Sequence, residues 1–140
     1  MSTIGIGVST SIGFIQVGGE RLSPELVSNG DFSNGLTGWT VVPIVSEKSG
    51  QVYIGAGKPT ASISQSILTA GKTYNVIVEV VNPPKSGTAT VNDAKGGVLQ
   101  TLTSIGSISF SFLNKAGADI YITSNKGAVF VINNVSVKEV

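Results

Sequence analysis

Between Ser107 and Phe112 the chain alternates without a break, with Ile108, Phe110 and Phe112 on one side and Ser107, Ser109 and Ser111 on the other. A repeat of two belongs to a β-strand with one buried and one wet face. Thr73 to Val81 repeats it over a longer stretch. Tyr74, Val76, Val78 and Val80 share one face, and Asn75, Ile77, Glu79 and Val81 share the other. Helical periodicity is hard to find anywhere in the chain.

Shorter strands are predicted at Trp39 to Ile44, Gln51 to Gly55, Ala61 to Ile67, Thr88 to Val91, Val98 to Leu102, Asp119 to Thr123 and Ala128 to Val137. Turn signals separate them: Lys48-Ser49-Gly50, Gly57-Lys58-Pro59, Ala70-Gly71-Lys72, Asn82-Pro83-Pro84, Lys95-Gly96-Gly97 and Asn125-Lys126-Gly127. Gly supplies positive φ and Pro ends a ladder, so each turn has a mechanism. Many short strands at this spacing predict an all-β sandwich or barrel. The one helix candidate is a single turn at Ser23-Pro24-Glu25-Leu26, an N-cap followed by Pro. In the last strand, Ala128, Phe130 and Ile132 alternate with Val129 and Val131. Apolar residues on both faces predict a strand covered on both sides.

The 140 residues suit one domain with its own core. Only 12% are charged, about half the usual fraction. A surface so poor in charge is expected to be covered in part by other copies or other chains. The net charge of +1 gives no basic stripe for phosphates, so nucleic acid is not an expected partner. No apolar run approaches the ~20 residues of a membrane span. The uncharged N-terminus also lacks the basic flank and compact apolar stretch of a secretory signal, and is read as part of the mature protein.

Cysteine and histidine are both absent. That removes disulfides, thiolate metal sites, the commonest general base and the usual serine triads. The acidic residues Glu20, Glu25, Asp31, Glu47, Glu79, Asp93, Asp119 and Glu139 are scattered, with no recurring pair of the kind a glycosidase uses. Gly5-Ile6-Gly7 lacks the strand–turn–helix context and the Lys-Ser/Thr of a phosphate loop. The expectation is a protein that is not an enzyme.

Leu26-Val27-Ser28-Asn29-Gly30-Asp31-Phe32, followed by Gly35-Leu36-Thr37-Gly38-Trp39, resembles the opening of carbohydrate-binding-module-like jelly rolls with a galactose-binding-type fold. Leu68-Thr69-Ala70-Gly71-Lys72-Thr73-Tyr74 is similar to the middle of that family. Val131-Ile132-Asn133-Asn134-Val135-Ser136-Val137 is similar to its closing strand. The resemblance spans residues 26 to 137. It implies a jelly-roll β-sandwich of about eight or nine antiparallel strands. It extends to small phage virion proteins and tail modules with a "Val-Ser-Val-Lys-Glu" tail, and this chain ends Val137-Lys138-Glu139-Val140. In the sugar-binding relatives a carboxylate after the Phe of the opening and the Asp of the closing motif hold a structural calcium ion. Those places are Ser33 and Asn133 here, leaving Asp31 with neutral oxygens. Calcium favours several anionic oxygens, so no cofactor is expected.

Phe32, Trp39, Tyr74, Phe110 and Phe112 are expected to form the aromatic part of the core. A sole Trp is open to two roles, sugar platform or core anchor, and the resemblance places Trp39 at a buried position. Tyr53 and Tyr121 are candidates for outward-facing glycan contacts. Two segments are expected: an arm of residues 1–19 and a β domain of residues 25–140, with a hinge at Gly18-Gly19-Glu20-Arg21. In the arm, Ile4, Ile6 and Val8 alternate, and Ile12 and Phe14 follow, with no charge among residues 1–19. Such a segment must be covered. Two readings stand open. The arm supplies an edge strand to its own sandwich, or it adds a strand to a neighbouring subunit.

The resemblance and the missing chemistry together predict a non-enzymatic phage-type virion protein. It would be a capsid decoration or other head or tail accessory protein, located in the virion, partnered by other virion proteins and by its own copies. The alternative is a carbohydrate-binding module that recognises cell-surface or environmental glycans.

Overall fold

A computed structural model describes residues 16–17, 20–21, 23–55 and 61–140. The predicted arm residues Ile4, Ile6, Val8, Ile12 and Phe14, and the turn at 57–59, lie outside the described residues. Gln16–Val17 (β1) pairs antiparallel with Glu20–Arg21 (β2), so Glu20 and Arg21 of the expected hinge belong to a short paired strand.

The remaining strands are β3 (Thr40–Val42), β4 (Val45–Lys48), β5 (Gln51–Ile54), β6 (Ser62–Ser66), β7 (Thr73–Asn82), β8 (Thr88–Asn92), β9 (Val98–Thr101), β10 (Gly106–Leu113), β11 (Asp119–Asn125) and β12 (Phe130–Glu139). They form two five-stranded antiparallel sheets, with orders β9-β8-β11-β6-β3 and β10-β7-β12-β5-β4. The architecture is a jelly-roll sandwich, the first sheet being called A here and the second B. No helix long and apolar enough to cross a membrane occurs among the described residues.

Ten sheet strands exceed the eight or nine expected. The additional strand is β4, which lies beyond the stretch Trp39 to Ile44 read from sequence as a strand; only Thr40–Val42 of that stretch pairs. Pro43 cannot continue the ladder. The chain therefore leaves sheet A after Val42 and enters sheet B at Val45.

The core lies between the sheets. β7 buries Tyr74, Val76, Val78 and Val80, and sheet A answers with Ile63, Val91, Ile120 and Ile122. Phe130, Val131 and Ile132 of β12 are all buried: Phe130 and Ile132 belong to the core between the sheets, and Val131 lies at the outer cavity lined by Pro83, Pro84 and Lys85. Bulges between Val131 and Asn134 shift its register against β7. Val129, read as part of this strand, precedes it and is exposed. β10 keeps the predicted alternation, but Phe110 and Phe112 are only half-buried. They pack against the core from an edge strand rather than within it.

The predicted helical turn at Ser23 to Leu26 does not form. The segment is extended and lies along the C-terminal half of β12. Glu25 bridges to Lys138, and the Leu26 N–H donates to the Val137 carbonyl at 2.9 Å. The Glu25 carboxylate accepts from the Ser136 hydroxyl at 2.6 Å and the Val137 N–H at 2.7 Å. Three charge-assisted bonds, counting the Val27 N–H at 3.2 Å, outweigh what one isolated helical turn can offer. Gly30 then passes so close to β12 that a Cβ there would meet the Val135 carbonyl.

Residues 29 to 39 form a turn closed by one amide. The Asn29 side chain donates to the Gly35 carbonyl at 3.0 Å and the Thr37 carbonyl at 2.9 Å, and accepts from the Asn34 N–H at 3.0 Å. Asn29 sits at φ 54, a left-handed region that Asn tolerates well. Its carbonyl accepts from the Trp39 indole N–H at 3.1 Å. The indole is 8% exposed and packs 5.4 Å from the ring of Phe32, which is fully buried. Trp39→Ala is expected to cost about 3–5 kcal/mol in urea unfolding, as deletion of a large core aromatic does. A loss under about 1 kcal/mol would place the indole outside the core.

Candidate functional site

Directly opposed residues in an antiparallel pair share a face, so the registers define what sheet A shows to solvent. Tyr121 lies opposite Ser64 of β6 and Asn92 of β8. Thr123 lies opposite Ser62 and Thr90, and Asp119 opposite Ser66. Thr40 of β3 extends the Ser64 row. The outer face is thus built of hydroxyl and amide side chains around one aromatic ring, on the central strand β11.

This face is recessed. Ser62 and Ser64 point outward yet are each 7% exposed, and Thr90 is 4% exposed. Their neighbours overhang them. The hollow, about 420 Å³, is lined by Tyr121, Thr123, Ser62, Asn92 and the turn carrying Ala94, Lys95 and Gly96. That turn is held by Asp93, whose carboxylate accepts from the N–H groups of Lys95 at 3.0 Å and Gly97 at 2.8 Å.

The polar groups are ordered by one another. Asn125 donates to the Thr90 hydroxyl at 3.0 Å, Thr90 donates to Asn92 at 2.7 Å, and Asn92 donates to the Gly96 carbonyl at 3.1 Å. The Tyr121 hydroxyl donates to Asp119 at 3.3 Å, and Asp119 also accepts from Ser66. Partial burial, and then the negative charge of Asp119, push the Tyr121 phenol above its ordinary pKa. The ring is therefore neutral at physiological pH. The folded phenol holds its proton more tightly than the unfolded chain does. Its contribution to stability is present at neutral pH and lost as pH rises through the folded pKa.

Tyr53 is elsewhere. Val52 and Ile54 are buried on either side of it, so its ring faces out from sheet B, on the opposite side of the sandwich. It borders a second cavity of about 730 Å³ with Pro83, Pro84, Lys85, Val129 and Val131. The two tyrosines named from sequence thus belong to separate surfaces and form no common cleft. Asn92, Thr90 and Asn125 were not singled out from sequence. The pairing of β8 with β11 sets Asn92 opposite Tyr121 and Thr90 opposite Thr123, with Asn125 further along the same face of β11.

Ser33 and Asn133 occupy the positions at which the resemblance places calcium ligands. The Ser33 N–H, at 3.0 Å, and then its hydroxyl hold the Asp31 carboxyl below the usual carboxylate range, so Asp31 closes its own turn. Asn133 Oδ1 is buried without a hydrogen-bond partner, but one neutral amide oxygen is a weak ligand. No group of three metal-binding side chains occurs among the described residues.

No protein-family model matches the sequence and no curated protein does. Solved structures do match in shape. The CBM22-1 xylan-binding domain of Paenibacillus barcinonensis Xyn10C superposes with a TM-score of 0.59 at 13% identity, covering 84% of this chain and 96% of that one. TmCBM61, solved with β-1,4-galactotriose, gives 0.53 at 15% identity, covering 84% and 100%. The enzymatically active domain of bacteriophage CBA120 tailspike protein 4 gives 0.54 at 14% identity over 83% of this chain. The match spans only 21% of that tailspike chain. The protein has the jelly-roll fold of carbohydrate-binding modules.

Because Asp31 is the one carboxylate left among the expected ligands, thermal melts in excess chelator and in excess calcium should coincide. A bound ion would raise the melting temperature by mass action. A separation of many degrees would show that a calcium site exists.

Proposed function

We propose that the protein is a non-catalytic glycan-binding module and that its binding surface is the outer face of sheet A around Tyr121. The carrying observation is the single aromatic ring set in a recessed bed of hydroxyl and amide groups on rigid strands. A sugar presents an apolar C–H face and a rim of hydroxyls. An aromatic ring covers the first, and donors and acceptors in fixed positions satisfy the second. The fold supports the reading, since its structural neighbours include a xylan-binding domain and a galactotriose complex. No carboxylate lines the hollow among the described residues, and one cation, Lys95, does. The carboxylates nearest it are already engaged, Asp119 by Ser66 and Tyr121 and Asp93 by the N–H groups of Lys95 and Gly97. The lack of a free pair of carboxylates across the hollow favours binding over acid–base catalysis.

A glycan array followed by calorimetry on the best ligand tests this. Tyr121→Ala should lower affinity by about tenfold or more, with the melting temperature little changed, as loss of a stacking ring does. Tyr53→Ala should bind normally. Full binding by Tyr121→Ala, or no binding to any glycan on the array, would refute the assignment.

The tailspike match supports a second reading, that the chain is a virion component such as a capsid decoration or head or tail accessory protein. In that setting the same face would meet host-surface glycans. Mass spectrometry of purified phage particles separates the two settings: the chain is present in stoichiometric amount or it is not.

A further inference from the structure

Each sheet has two edges, and three of the four are blunted against strand addition. β3 has three residues and ends at Pro43. β9 has four and is bulged between Val98 and Gln100. β4 has four and carries Glu47 and Lys48. Short length, bulges, proline and charge are the ordinary protections of an edge. β10 has none of them. It runs eight residues, Gly-Ser-Ile-Ser-Phe-Ser-Phe-Leu, in unbroken register with β7. Among the described residues nothing pairs with its other side.

The side chains on this edge are also incompletely covered. Ile108, Phe110 and Phe112 face the core but remain half-buried, with Phe110 and Phe112 6.2 Å apart. Ile105 is 73% exposed and Leu113 is 52% exposed, at the two ends of the strand. A partner that adds a strand would pair the open backbone and bury these rings together.

We propose that the partner is a second copy of this chain, added edge to edge through β10 about a twofold axis at Ser109. In an antiparallel pair centred there, Ile105 of one copy lies opposite Leu113 of the other, and Ser107 opposite Ser111. On the core side Ile108 lies opposite Phe110, and Gly106 lies opposite Phe112, leaving room for its ring. Apart from Gly106 and Phe112, each residue meets a chemically similar one, and the pairing is reciprocal as an isologous contact requires. Centring on Phe110 instead would set Ser107 against Leu113 and leave Ile105 without a counterpart. The two B sheets join into one of ten strands, and the Tyr121 faces remain open on both copies.

Light scattering of the full chain over a dilution series tests the proposal. The parent should be a dimer that dissociates on dilution. Ser109→Lys places two like charges on the axis while staying exposed in the monomer. It should raise the dissociation constant by about tenfold or more, with circular dichroism unchanged. Register is read by cysteine. Ser109→Cys should cross-link to itself under mild oxidation, Ser107→Cys should not, and Ser107→Cys with Ser111→Cys should. A parent monomeric at every concentration overturns the proposal. So does a dimer that ignores Ser109→Lys and whose Ser109→Cys variant forms no cross-link. A dimer lost on deleting residues 1–15 but untouched by Ser109→Lys overturns it in favour of the arm.

Discussion

The alternation of side chains along β7 and its neighbours governs the rest of the molecule. Tyr74, Val76, Val78 and Val80 must go inward together, because a slip of one residue would expose all four. That register fixes β10 on one side through unbroken pairing and β12 on the other through pairing interrupted by bulges between Val131 and Asn134. The core thus formed needs a second sheet to close it, and sheet A supplies Ile63, Val91, Ile120 and Ile122. Once those point inward, Ser62, Ser64, Thr90, Asn92, Tyr121 and Thr123 have no choice but to point outward. The polar face is the complement of the apolar core.

The candidate site therefore sits on strands rather than loops. Its hydroxyls and amides inherit the rigidity of the sheet, and hydrogen bonds among Asn125, Thr90 and Asn92 fix their orientation. A binding face ordered before the ligand arrives loses little entropy on binding. The opposite outer face is different in kind. It carries the serine row of β10, the exposed Ile77 of β7 and, at one end, Tyr53 between proline-rich loop and strand. One sandwich thus presents a recessed polar surface on sheet A and an open, uncharged edge on sheet B.

Much of the fold is legible in the sequence where one strand carries its own signal. β7 and β10 can be read from period alone, and the turns at Ala70-Gly71 and Lys95-Gly96 from Gly. The opening at Ser23 to Leu26 cannot, because its conformation is set by β12, more than a hundred residues away. An N-cap and a Pro state only a local preference. The split of β3 from β4 is signalled by Pro43, but not the change of sheet that follows it. The site is half legible. Tyr121 and Tyr53 can be named as outward aromatics, but which residues flank each depends on strand order. Asn92 and Tyr121 are far apart in sequence and adjacent only because β8 lies beside β11.

Whether the Tyr121 face of sheet A receives a glycan is the central question. Amide and side-chain NMR shifts recorded during titration with a β-1,4-linked oligosaccharide that scores on an array would locate the ligand directly. Perturbations should concentrate on Tyr121, Thr123, Asn92 and Ser62 and leave Tyr53 and Val129 unmoved. Perturbations confined to Tyr53, Pro83 and Val129 would place the ligand on sheet B and contradict the assignment.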